Sequence, residues 1–166
     1  FLKQELKSID EHKLNIITIE ESRKIPFKIA HLDFPIFLKG KADRVDVHDG
    51  TFRIIDYKSG KVAQTDLNVE ADWNGFTEDY KYSKAFQVLF YALLFQKEAK
   101  NMPMQSGIIS FKNLNEGFLK FGKKTGKGHE KNYEVSTEIL QDFEMHLSEL
   151  IKEIFDPEIP FTEKEV

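Results

Sequence analysis

Gly40-Lys41-Ala42-Asp43-Arg44-Val45-Asp46-Val47-His48-Asp49-Gly50-Thr51-Phe52-Arg53-Ile54-Ile55-Asp56-Tyr57-Lys58-Ser59-Gly60 is the stretch on which the fold turns. Two alternating, β-branched runs flank His48-Asp49-Gly50. Asp-Gly between such runs signals a hairpin, because a primed two-residue turn needs positive φ and Gly tolerates it. With Asp49 and Gly50 as the loop, His48 faces Thr51, Val45 faces Ile54 and Asp43 faces Asp56. Strand side chains alternate between faces. Asp43, Val45 and Val47 therefore share a face with Phe52, Ile54, Asp56 and Lys58. A longer loop would slip the pairing and separate the two carboxylates.

Like charges directly opposed across a sheet destabilise it. A pair kept on an otherwise apolar face calls for a counter-charge, and a divalent cation between the carboxylates supplies one. Hard oxygen ligands suit magnesium, which binds through one or two carboxylates plus substrate phosphate. Lys58 would then stabilise developing phosphate charge or orient water. The competing reading puts Asp43 and Asp56 at the frayed open end of a solvated hairpin. Ile54-Ile55, apolar on both faces, argues instead for a central, buried strand.

Gly40-x-x-Asp43-Arg44-Val45-Asp46, then Ile55-Asp56-Tyr57-Lys58-Ser59-Gly60, then Gln87-x-x-x-Tyr91 resembles the RecB-like branch of the PD-(D/E)xK nuclease superfamily. The nearest likeness is to the nuclease domains of AddB-type and RecB-type helicase–nucleases. It covers Ile36 to Phe95, with looser agreement to the end. The resemblance implies an α/β fold, a mixed central sheet with flanking helices in a restriction-endonuclease-like core. It implies Asp43 and Asp56 as metal ligands together with the backbone carbonyl of Tyr57, and Lys58 as the catalytic cation. Gln87 and Tyr91 become further site residues, Mg2+ or Mn2+ the cofactor, and single-stranded or unwound DNA ends the substrate. A helicase subunit or domain is the implied partner, and the cytoplasm the implied location. Arg44 takes a supporting or phosphate-facing role, or else a surface salt bridge. Relatives carry a metal-binding His on an upstream helix, in a motif absent here; His12 reads better as a solvated helix-end residue. Some relatives also hold a cysteine-ligated iron–sulfur cluster after a segment similar to Ile159-Pro160-Phe161. With no Cys in the chain, no such cluster is expected within this fragment.

At 166 residues the chain reads as a single domain, 1–166, and is expected to be a fragment of a longer helicase–nuclease protein. Fifteen Phe are ample for a core. The absence of Cys excludes a disulfide framework and a thiolate metal site within these residues. A net charge of −4 excludes a strongly basic DNA coat protein, but not a nuclease, whose acidic ligands lower the total. No apolar run is long enough to span a bilayer.

Outward from the hairpin, Phe1–Lys13 carries Leu2, Leu6 and Ile9 at helical spacing. Leu14–Glu20 and Pro26–Asp33 read as two strands separated by a charged turn at Glu20–Lys24, with His31 an edge-strand surface residue. Val62–Tyr80 reads as a long irregular segment beside the site. In it, Trp73 and Phe76 would stack on unpaired bases or, more in keeping with Trp burial, anchor the loop. Lys81–Lys100 is an apolar helix on which Gln87 and Tyr91, four apart, share a face. A strand in Gln105–Lys112 and another at Phe118–Phe121 follow. Gly122–Lys131 is basic and Gly-rich: a phosphate-tracking loop or a mobile hairpin tip, without the spacing of a Walker A loop. Ser136–Phe155 reads as an amphipathic helix capped by Ser136. Two readings rival a metal-dependent DNA exonuclease. One is a non-cleaving nucleic-acid- or partner-binding module on the same fold; the other is a structural domain with a surface acidic cluster.

Overall fold

A computed structural model describes residues 13–30, 32–126 and 130–162. The expectations for Phe1–Lys13, including His12, and those for His31 and the tip of the basic loop fall largely outside the described residues.

Asp49 and Gly50 both have positive φ, 48° and 79°, as a primed turn requires. They join β2 (Ile36–His48) to β3 (Thr51–Lys58). The register is the expected one: His48 pairs with Thr51, Val45 with Ile54 and Arg44 with Ile55. β1 (Leu14–Phe27) runs antiparallel to β2 along nearly its whole length.

The charged turn expected at Glu20–Lys24 is not there. That run is the middle of β1, paired with residues 39–42 of β2. A thirteen-residue β2 supplies a backbone partner along this run, and charges on β2 and on the helix Ser83–Ala99 pair with its side chains. Lys41 Nζ lies 2.7 Å from Glu20, and Arg23 Nε 2.8 Å from Glu98. The local signal survives only as a register shift between Ile16 and Thr18 and a positive φ at Glu20.

After β3, a 3-10 turn (Gln64–Leu67), β4 (Asn68–Val69) and a second 3-10 turn (Tyr80–Tyr82) lead into α1 (Ser83–Ala99). The stretch expected to be irregular is thus partly ordered. β5 (Met104–Ser110) returns parallel to β3, as a strand–helix–strand crossover requires. β6 (Phe118–Lys120) pairs antiparallel with β5, completing a five-stranded mixed sheet in the order β1-β2-β3-β5-β6. β7 (Gly122–Lys124) joins β4 and β8 (Lys131–Asn132) in a small second sheet, and α2 (Thr137–Phe155) closes the domain. This is the expected mixed α/β architecture of a restriction-endonuclease-like core.

α1 is apolar nearly all round because it is buried on more than one side. Ala85, Val88, Leu89, Ala92, Leu93, Leu94 and Phe95 are all buried, against β2, β3 and β5 and against α2. α2 is amphipathic and buries only Ile139, Leu140, Phe143, Leu147 and Ile151. Ser136 caps it by accepting from the Ile139 amide. Trp73 and Phe76 are core residues, 6% and 3% exposed. The Trp73 indole donates to Asp142 at 2.9 Å, and its ring packs on Phe76, Phe121 and His146. Base stacking by this pair is excluded by burial.

β6 approaches β5 at Gly107. A Cβ there would stand 2.0 Å from the Leu119 carbonyl oxygen and 2.9 Å from its carbon. Backbone cannot yield as a side-chain tip can. Gly107→Ala is expected to cost about 3 kcal/mol or more, read as a lower urea midpoint with an unchanged m value.

Candidate active site

The hairpin register carries the site. Continuing the ladder beyond Arg44–Ile55 puts Asp43 opposite Asp56, on the face that α1 covers. The Asp43 side chain takes over from the ladder at this point: its Oδ2 accepts from the Tyr57 amide at 2.8 Å. In extended chain the amide and carbonyl of one residue point to the same side, and successive residues alternate. The Lys58 carbonyl accepts from the Phe111 amide on the β5 side. The Tyr57 carbonyl therefore faces β2, the side of Asp43.

Asp56 is buried, with its side chain 6% exposed, whereas the Lys58 side chain is 32% exposed. Lys58 Nζ lies 3.0 Å from Asp56 Oδ2, close enough for an ion pair but too poorly aligned for a hydrogen bond. Burial pushes the Asp56 carboxyl above its ordinary range; Lys58 opposes the shift, and the Asp43 charge adds to it. Asp56 is thus buried beside the half-buried Asp43, with Lys58 as the cation next to it.

α1 closes the site from above. Gln87 Nε2 donates to Asp56 Oδ1 at 3.2 Å and to the Tyr91 hydroxyl at 3.0 Å. The sequence placed Gln87 and Tyr91 on one helix face, and the fold sets that face against Asp56. Gly40 eases the approach, since a Cβ there would stand 2.7 Å from Leu94 Cδ1 and 3.3 Å from the Tyr91 ring, and those side chains would have to shift. Beyond Lys58, Ser110 Oγ donates to the Gly60 carbonyl and Asn113 Nδ2 to that of Val62, each at 2.7 Å. These bonds hold the chain where it leaves β3.

Arg44 is not phosphate-facing, nor is it in a surface salt bridge. It lies on the opposite face of the sheet, 6% exposed. Its Nε donates to Asp46 Oδ2 at 2.7 Å, and its Nη1 lies 3.2 Å from the Tyr57 hydroxyl. Arg53 binds the same Asp46 through Nε and Nη2, at 2.7 and 2.9 Å. Asp46 is thus wholly buried between two guanidinium groups. The pairing of Asp46 with Arg53 is visible in the hairpin register. The part of Arg44 is easier to miss, although Arg44 and Asp46, two apart on one strand, must share a face. Gln64, in the turn after β3, donates to Asn68 Oδ1 and the Lys120 carbonyl and is structural.

Among the described residues, no group of three or more His, Asp or Glu gathers to hold a metal ion. The donors present are the Asp43 and Asp56 carboxylates and the Tyr57 carbonyl. They fit a hard divalent cation: Asp56 Oδ2 is buried without a hydrogen bond, and a small oxygen set leaves positions for water and phosphate. The site is thus an Asp on each strand of a hairpin, with a Lys two residues after the second, under a helix that sets Gln87 and Tyr91 against it.

The model of the PD-(D/E)XK nuclease superfamily matches residues 2–165, and the chain belongs to that superfamily. No curated protein and no solved structure matches it. Nuclease chemistry on nucleic acid, aided by a divalent metal, is what membership of this superfamily suggests. Among the described residues, no helix is long and apolar enough to cross a membrane.

Proposed function

We propose that the chain is the RecB-like, AddB-type nuclease domain of a helicase–nuclease, a single domain over 1–166 that acts on DNA with Mg2+ or Mn2+. Exonucleolytic hydrolysis of single-stranded or unwound ends is the activity, a helicase subunit or domain the partner, and a cytoplasmic location goes with that assignment. One observation carries the reading: Asp43, Asp56 and Lys58 share a sheet face, with Gln87 and Tyr91 bonded over Asp56.

The carboxylates of Asp43 and Asp56 and the carbonyl of Tyr57 would hold the cation, which when bound supplies Lewis-acid charge at the phosphate. Hydrolysis adds a water oxygen to phosphorus, breaks one P–O ester bond and hands a proton to the departing oxygen. Lys58 presents its ammonium to the charge that grows on the phosphoryl oxygens and donates to the attacking water. Gln87 fixes Asp56 through Oδ1, leaving Oδ2 available for ligation. Tyr91 in turn fixes Gln87. The Tyr57 amide holds Asp43 in the same way.

The test is cleavage of end-labelled single-stranded and duplex DNA in magnesium, manganese or EDTA. Metal-dependent trimming of linear strands, with covalently closed single-stranded circles spared, is expected. Cutting of circles would replace the exonuclease reading with an endonuclease. Absence of cleavage combined with absence of any metal-induced rise in melting temperature would overturn the catalytic reading altogether.

A further inference from the structure

We propose that the cleft between β2 and the first half of α1 is a subsite for an unpaired nucleobase, with Phe90 as its stacking face. The inference rests on the nuclease reading and narrows its substrate to strands whose bases are free to turn outward. The cleft has a volume of about 300 Å3 and is lined by Lys39, Gly40, Phe86, Gln87, Phe90 and Tyr91. Gln87 and Tyr91 belong to the hydrogen-bonded chain that ends on Asp56, so cleft and catalytic carboxylate share walls. A nucleotide whose phosphate lies at Asp56 and Lys58 would bring its own base, or its neighbour's, to this opening.

The wall chemistry suits a base. Phe86 is already engaged, with ring centroids 5.8 Å from Phe76 and 5.2 Å from Phe143. Phe90, one turn on, is only partly buried and enters no ring pair among the described residues. Lys39, exposed at the rim, forms no ion pair among the described residues and can meet a phosphate. Gly40 keeps the floor open, since a side chain there would run into Leu94, Phe90 and Tyr91. A neighbouring cleft of about 1020 Å3 shares Phe86 but is lined by Glu70, Glu78 and Asp79. Glu70 is paired there with Lys124 and Asp79 with Lys81, each at 2.7 Å, while Glu78 forms no ion pair among the described residues, so that wall offers a phosphodiester no unpaired cation. Charge therefore selects the smaller cleft.

Base–aromatic stacking is tolerant of sequence, so the subsite would distinguish stacked from unstacked bases without reading which base is present. A paired base inside a duplex cannot enter.

The experiment compares a short single-stranded oligonucleotide with one of equal length and charge whose sugars carry no bases. Binding is measured by fluorescence anisotropy to the Lys58→Ala protein in magnesium, and cleavage is measured with the unsubstituted protein. The base-bearing strand is expected to bind about ten- to a hundredfold more tightly. In Lys58→Ala/Phe90→Leu, which keeps an apolar side chain in place, that ratio is expected to collapse toward one. Thermal melting confirms that the double variant is folded. Lys39→Ala should weaken both strands equally and leave the ratio unchanged, as loss of a phosphate contact does. Equal binding of the two strands, or a ratio untouched by Phe90→Leu, overturns the subsite. Cleavage by the unsubstituted protein in that case leaves the nuclease reading standing, whereas failure to bind or cleave either strand removes both.

Discussion

Asp56→Asn is expected to lower metal-dependent cleavage by at least about a hundredfold while raising the melting temperature of the metal-free protein. The two effects have one cause. Asp56 is buried beside a second carboxylate, and its own charge is only partly offset by Lys58. Without metal, a neutral amide of the same shape relieves that repulsion, and Gln87 can turn its amide to keep a bond. With metal, the same substitution removes a ligand and the charge that holds it. Removing one group that stabilises transition-state charge typically costs about 10²–10³ in rate. The unsubstituted protein should also gain stability with metal, by about 2.7 kcal/mol at a hundredfold excess over Kd, and Asp56→Asn should not. Lys58→Ala separates the roles, losing cleavage while keeping the metal-induced shift. Melting curves with and without manganese, run beside the cleavage assay, decide it. An Asp56→Asn protein that cleaved at the normal rate would remove this residue from the mechanism.

The second large effect is on the other face of the sheet. Asp46→Ala is expected to destabilise the fold by about 3–5 kcal/mol, a drop in melting temperature on the order of 10 °C. Asp46 is fully buried and binds Arg44 and Arg53 through both oxygens. Truncating it leaves two buried or half-buried guanidinium groups facing each other without a counter-charge. A buried ion pair adds little over a well-packed apolar pair, but removing one partner strands the other. Replacing Arg44, Asp46 and Arg53 together by apolar residues should therefore cost less than Asp46→Ala alone. Urea unfolding of the two proteins checks that order. Asp46 lies on the opposite face of the sheet from Asp43 and Asp56, which separates a stability residue from a site residue only three positions away along β2.

Much of the site was legible because it is built from local geometry. The Asp49-Gly50 turn sets the register, the register puts Asp43 across from Asp56, and alternation puts Lys58 on their face. Gln87 and Tyr91 share a helix face through a four-residue spacing. What that face meets depends on how the helix packs across β2, β3 and β5, with Gly40 leaving room for the Leu94, Phe90 and Tyr91 side chains. The charged run Glu20–Lys24 misled for a related reason. Alone it has the composition of a turn, and only a long β2 with opposing charges at Lys41 and Glu98 makes it strand. Trp73 was ambiguous between a binding aromatic and an anchor until Asp142 on α2 was found beside its indole.

The sequence by itself determined the hairpin, its register, the apolar helix α1 and the pairing of two carboxylates with a lysine. These depend on turn stereochemistry and side-chain alternation, which act over a few residues. The tertiary structure alone decided how deeply Asp56 is buried, that Gln87 binds it, that Arg44 serves Asp46 across the sheet from the site, and that an apolar cleft opens beside Tyr91. These depend on which distant segments come together, and burial, desolvation and close approach exist only once they have.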